Sequence, residues 1–398
     1  MTTPFGVYIH VPFCASRCGY CDFNTYTPGE LGTATSPAEY LIALRQELEL
    51  AAASGMTRSA DTVFIGGGTP SMLGAELVTV LDMVRETIGI SAGAEVTTES
   101  NPESTSLPLF ESLLEGGFTR ISLGMQSAAP HILQILERRH TPGRAIAAAQ
   151  EAYDAGFRHI NLDMIYGTPG ESEADVRSTL DAILSVPVDH VSAYSLIVED
   201  GTAMARKVRR GEIPVPDEDI HADRYVLIDE TLRAAGFDWY EVSNWARPGG
   251  ECQHNLGYWR DGDWWGAGPG AHSHLKNVRF YNVKHPAKYA TICGNGTLPI
   301  EATEDLSDQD RHVERIMLGL RLKEGIPRDL IGASAEEVVQ GYIRQGLLKE
   351  FGSGGAGGVF EAGGAGGGGG VCVRLGLTEA GRLLADGIVA DILLAEES

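Results

Sequence analysis

The chain has 398 residues, of which 43% are hydrophobic and 21% charged, and a formal net charge of −23. It is long enough for one large α/β domain and a smaller second one. Its acidity weighs against nonspecific nucleic-acid binding, which needs clustered Lys and Arg, and against docking on anionic lipid through a polybasic patch.

From residue 5 to about 235, short β-branched runs alternate with longer amphipathic segments. Strands are predicted at 5–11, 61–65, 95–99, 120–123, 159–165 and 190–196. Helices are predicted at 38–53, 75–88, 107–115, 144–155 and 173–184, where apolar residues recur at helical spacing. Such alternation gives a parallel sheet with right-handed crossovers. Periodicity alone does not separate a barrel from an open doubly wound sheet. In both, active groups gather at the C-terminal ends of the strands. The distinctive residues fall there: Cys14 after the first strand, Gly66-Gly67-Gly68-Thr69-Pro70 after the second and Glu99 at the third. Gly124-Met-Gln126 follows the fourth, and Asp163 lies near the end of the fifth. The first domain is expected to span 1–236.

Residues 237–303 break the alternation and are dense in aromatics and histidine, including Trp245, His254, Tyr258, Trp259, Trp264, Trp265, His272 and His274. Residues 304–398 read as a small module, with helices at 306–322 and 335–345, strands at 347–351 and 371–375, and a helix at 378–394. Two helices, a hairpin and a helix suggest a winged-helix-like domain. The insertion 352–370 is mostly glycine and reads as a lengthened, disordered wing tip. Few basic residues in this module argue against DNA.

The most specific pattern is Cys14-Ala-Ser-Arg-Cys18-Gly-Tyr-Cys21, a C-x3-C-x2-C run that puts three thiolates on one loop; the next cysteine is Cys252. Three ligands suit a four-iron cluster with one iron left open, as catalytic metal sites keep a free position. A zinc site completed by His10, or three structural cysteines clustered by chance, are the alternatives. The six cysteines show no pairing pattern, which points to reduced thiols. There is no basic segment before an apolar stretch and no apolar run long enough for a bilayer, so a cytoplasmic location is expected. The Gly66–Gly68 run is either a tight turn or a place where backbone approaches a ligand.

The stretch Gly6-Val-Tyr8-Ile-His10-Val-Pro-Phe-Cys14 to Cys18-Gly-Tyr20-Cys21-Asp-Phe23-Asn24 resembles the start of a radical S-adenosylmethionine (SAM) protein. The resemblance implies a partial (β/α)6 TIM-like barrel and a [4Fe-4S] cluster on Cys14, Cys18 and Cys21. It also implies SAM chelating the open iron and its reductive cleavage to a 5′-deoxyadenosyl radical. By the same resemblance Tyr8, Tyr20, Gly67, Gly68, Thr69, Glu99, Gln126, Arg138 and Asp163 match SAM-contacting positions. A carboxylate there can take ribose hydroxyls or the ammonium group, and Arg138 can hold a carboxylate.

Within that superfamily the chain is similar, over nearly its whole length, to the coproporphyrinogen III oxidase-like group. The oxygen-independent oxidase carries a fourth cysteine two residues after the third, where this chain has Phe23, and a long N-terminal extension over its active site, whereas here Cys14 comes almost immediately. Both departures match the heme-chaperone branch of the group, as does His254-Asn255-Leu-Gly-Tyr258-Trp259, the H-N-x-x-Y-W motif of that branch. A neutral imidazole is a good axial ligand and flat rings pack on a macrocycle; Cys252 and His272 remain competing ligands. The resemblance therefore implies a chaperone that binds heme and delivers it to acceptor proteins, respiratory ones among them, and lacks oxidase activity. Nucleic acid is not an expected partner, whereas transient membrane association and a homodimer are compatible with this reading. The alternative is an oxygen-independent coproporphyrinogen III oxidase.

Overall fold

The structure, a computed structural model, describes residues 4–31, 36–353, 359–361 and 373–397. Six strands follow one another in parallel register: β1 (Phe5–Val11), β2 (Ala60–Gly67), β3 (Ile90–Ser100), β4 (Arg120–Gln126), β5 (His159–Tyr166) and β6 (His190–Ser195). The helices Pro37–Ala53, Glu76–Thr87, Leu107–Gly116, Arg144–Ala155 and Glu173–Leu184 fill the crossovers. Each predicted strand and helix of this region is present, and the result is the partial (β/α)6 barrel. The largest difference is β3, which begins five residues earlier than its β-branched run.

The two faces of these strands differ sharply in chemistry. Val7, Ile9, Val11, Val63, Ile65, Ile121, Leu123, Ile160 and Leu162 are fully buried and alternate with the other set, as a half-covered strand requires. The alternate positions carry Tyr8, His10, Phe64, Thr97, Glu99, Ser122, Gly124, Asn161, Asp163 and Ser192. In register, they form polar rows across β1 to β6. A full TIM barrel fills its interior with branched apolar side chains. This one lines its interior for a polar ligand.

The aromatic segment adds to that sheet. The chain passes through β7 (Asp238–Glu241) to β8 (Asn244–Ala246), which runs antiparallel to β6. After the helix Gln253–Trp259, β9 (Asp263–Ala267) pairs parallel with β1, and β10 (His272–Leu275), β11 (Val278–Asn282) and β12 (Ile300–Asp305) continue antiparallel. The order is β12-β11-β10-β9-β1-β2-β3-β4-β5-β6-β8.

The chain divides into two compact units, one of residues 1–238, 243–257 and 262–305, the other of 239–242, 258–261 and 306–398. The second has helices Asp308–Gly319, Glu336–Arg344 and Ala385–Glu396, with β13 (Ile326–Pro327), β14 (Leu348–Ser353), β15 (Val359–Glu361) and β16 (Val373–Leu377) in the order β13-β16-β14-β15. The expected hairpin is β14 against β16, two residues further along in its second strand than predicted. The predicted helix 378–394 is two, Glu379–Arg382 and Ala385–Glu396. Apart from 352–353 and β15, the glycine-rich insertion 352–370 lies outside the described residues. No helix among the described residues is long and apolar enough to cross a membrane.

Candidate functional site

The cysteine loop leaves β1 and is tied at its neck and its middle. Cys14 N–H donates to Tyr26 O at 3.0 Å and Tyr26 N–H to Pro12 O at 2.7 Å, closing residues 14–25 into a loop. Gly19 N–H donates to Leu136 O (3.1 Å) and Met204 N–H to Gly19 O (2.8 Å), fixing the far side. Cys14, Cys18 and Cys21 all line one cavity of ≈ 930 Å³, counted with its open mouth. They share it with Tyr20, Gly67, Gly68, Thr69, Glu99, Gln126, Arg138 and Asp163, the ends of β2 to β5 and the turn after them.

Glycine at the end of β2 is what lets it meet this loop. A Cβ on Gly68 would lie 2.5 Å from Phe13 O and 3.0 Å from Cys14 Sγ. Gly67, at φ +110°, would drive one into the His10 ring at 2.7 Å. The run is therefore both a turn and a close approach. Gln126 closes β4 at φ 71°, a left-handed conformation uncommon for a non-glycine residue, beside an irregularity in the β4–β5 register.

The charges around the thiols are arranged by function of position. Burial pushes the Cys14 and Cys21 thiols up, and the Thr69 hydroxyl, 3.6 Å from Cys14 Sγ, works against this. Arg138 donates to Cys18 Sγ at 3.3 Å, so a guanidinium stands where a thiolate would form. The same cavity holds two acids. Burial, followed by the neighbouring Asp163, pushes Glu99 up to about 7, although Gly67 N–H donates to it at 3.0 Å. Burial pushes Asp163 up to about 6 against the amide of Asn161 (2.6 Å) and the Ser122 hydroxyl.

Three soft thiol ligands, a cation beside one of them and two acids in the same cavity suit a metal–sulfur group with a small zwitterionic ligand. Among the described residues no three His, Cys, Asp or Glu side chains gather around the position of a single metal ion. A cluster asks less, since each of its irons takes one thiolate.

Other residues singled out from the sequence lie elsewhere. Tyr8 does not line the cavity; its hydroxyl meets His10 Nδ1 at 3.0 Å. His254 is buried, with Nδ1 2.8 Å from Thr62 Oγ1 and its ring stacked on Phe64 at 5.2 Å. Burial pushes it down to about 3, so the ring is neutral. Asn255 follows on the same helix, while Tyr258 and Trp259, both half-buried, group with the second unit. Cys252 is buried, its thiol pointing to Glu95 Oε1 at 3.4 Å. Sequence reasoning passed over Ser122 and Asn161, which seat Asp163, and His190, whose Nδ1 meets Asn161 Oδ1 at 2.7 Å. Their signal was available: polar residues at alternate positions of otherwise apolar strands.

Residues 8–183 match the radical SAM superfamily. The heme chaperone HemW of Mycobacterium tuberculosis is 54% identical over 98% of this chain and 95% of its own length. The chain belongs to the HemW family of radical SAM proteins. HemW of Escherichia coli is 34% identical over 86% of this chain and 92% of its own. Among solved structures, the coproporphyrinogen III oxidase HemN of Escherichia coli aligns with a TM-score of 0.78 at 22% identity, covering 98% of this chain and 90% of HemN. This chain and HemN thus share a fold. At the position of the oxidase's expected fourth cysteine, this HemW-family chain presents Phe23, 60% exposed on the cavity wall.

Proposed function

We propose that the chain is a heme chaperone, binding heme and passing it to acceptor proteins, with a [4Fe-4S] cluster and SAM in the strand-end cavity. The observation that carries this reading is the 54% identity to a HemW over nearly the whole of both chains. Phe23 supports it, since a phenyl ring cannot supply the extra thiolate of the oxidase branch.

Cys14, Cys18 and Cys21 would each hold one iron as thiolates, and Arg138 would stabilise the anionic charge at Cys18. The glycines of β2 give a ligand access to backbone. Arg138 suits the carboxylate of SAM's methionine part, and Glu99 and Asp163 suit its ammonium and ribose hydroxyls. A cation beside Glu99 would draw its raised carboxyl back to the ionised form at neutral pH. The cluster, when bound, supplies an open iron for SAM and a source of one electron.

The test is anaerobic. Cluster-loaded protein is given coproporphyrinogen III, SAM and a reductant, beside a genuine oxidase. In parallel it is titrated with heme and then mixed with apomyoglobin. No protoporphyrinogen, a saturable Soret band and movement of heme to apomyoglobin are expected. Formation of protoporphyrinogen, or no heme uptake, overturns the reading.

A further inference from the structure

A histidine that ligates heme iron must be accessible and must bring one ring nitrogen to the metal. Among the described residues His10 commits both ring nitrogens to hydrogen bonds, and every other histidine but His272 commits at least one to a hydrogen bond or ion pair within the chain, leaving at most one for iron. His254 is 3% exposed, and its Cε1 lies 3.0 Å from where a Cβ on Gly6 would stand. To reach a macrocycle it would have to leave Thr62 and Phe64. His272 is exposed and makes no such bond.

Its placement is equally specific. His272 opens β10 opposite Tyr281 of β11, and the two rings stack at 5.1 Å with 23° between planes. Its carbonyl accepts from Trp264 Nε1 at 2.9 Å, tying β10 to β9. Because β9 runs parallel to β1 and β10 runs back, His272 lies at the C-terminal end of β1, the end that leads into the cysteine loop. His274 faces Trp264 across β10 and β9, and Trp264 faces Gly6 across β9 and β1, so His272 shares the face of Tyr8 and His10. The loop before β10 and the turn after β11 are pinned to Asn24, three residues beyond Cys21: Asn24 Nδ2 donates to Pro269 O and to Lys284 O, both at 2.9 Å. Partial burial, followed by the positive charge of Lys284, pushes the imidazole's pKa down, which favours its neutral, iron-binding form. Lys284 is itself exposed.

We propose that His272 is the axial iron ligand of a heme carried on this face, with Tyr281 fixing the plane of the imidazole and Lys284 taking a propionate. It rests on the heme-carrying reading above. An exposed ligand suits a carrier that must release its cargo, since the acceptor can approach the iron without the fold opening. Asn24 would place the heme beside the cluster loop.

Full-length, cluster-loaded protein, as wild type, His272→Ala, Lys284→Glu and His254→Ala, is titrated with heme anaerobically. The readouts are the Soret band and the iron–histidine stretch of the ferrous form by resonance Raman. His272→Ala should weaken binding about tenfold or more and lose the stretch, with added imidazole restoring a nitrogen-ligated spectrum. Its cluster iron should not change, because the residue is exposed. Lys284→Glu should weaken binding and keep the stretch, whereas His254→Ala, if it folds, should keep both the affinity and the stretch. An unchanged stretch and affinity in His272→Ala overturns the assignment and leaves heme carriage standing. A wild type that takes up no heme overturns both.

Discussion

At the scale of single residues the cavity depends on atoms that are missing from side chains as much as on those present. Gly68 has Phe13 O and Cys14 Sγ where its Cβ would go, and neither can swing away: one is backbone and the other is a ligand thiol. Gly68→Ala should displace the Phe13–Cys14 peptide, cost about 1–3 kcal/mol as overpacking does, and lower the iron bound per chain. Gly387→Ala is the control. It lies in the helix Ala385–Glu396 with nothing within 4 Å of the new Cβ, and should be neutral or slightly stabilising. Equal iron content in Gly68→Ala and wild type would mean that the close approach is not needed for the cluster. The cysteines and glycines were legible in the sequence because their types and spacing carry the chemistry by themselves. Ser122 and Asn161 were not, because a polar residue within a strand declares its partner only once the neighbouring strand is aligned.

At the scale of elements the barrel strands and helices were readable from local periodicity, whereas the partners of the aromatic segment were not. Nothing within 263–267 encodes pairing with residues more than 250 positions away; that contact is set by β1 having a free edge. One side chain holds this junction. Glu47 occupies a core position of the helix Pro37–Ala53, in line with Tyr40, Ala43, Leu44, Leu48 and Ala51, where a sequence reading expects an apolar residue. Its carboxyl accepts from Gly268 N–H (2.8 Å), Asn282 Nδ2 (2.7 Å) and the Tyr289 hydroxyl, joining the helix to the loop before His272, to β11 and to the helix Pro286–Gly294. Burial outweighs these donors and pushes it up to about 7. The folded value lies above the unfolded one, so from about pH 4.5 to 7 the folded chain keeps a proton that the unfolded chain has lost. Stability is therefore greatest below that window and falls as pH rises through it. Glu47→Gln, which does not titrate, should show a shallower decline in denaturation midpoint between pH 5 and 8 than wild type, by roughly 1–3 kcal/mol across the range. Parallel pH profiles would show that Glu47 is not the titrating group.

At the scale of the whole molecule, the division into two units has a thermodynamic consequence. The second unit has its own core of Ile316, Leu320, Ile326, Val339, Leu348, Leu375, Ile388 and Ile392, all 2% exposed or less. None of the proposed cluster, SAM or axial heme ligands belongs to it. Leu375 is fully buried on β16 between its neighbours β13 and β14, so truncation leaves a cavity that only this core can fill. Leu375→Ala should cost about 2–5 kcal/mol, a large share of the roughly 5–15 kcal/mol that holds a domain folded. In a denaturant titration of cluster-loaded protein, part of the helical signal should be lost earlier than in wild type. The visible absorbance of the cluster should keep its original midpoint, and heme titration below the first transition should be unchanged. If cluster absorbance and helical signal move together, the two cores unfold as one cooperative block.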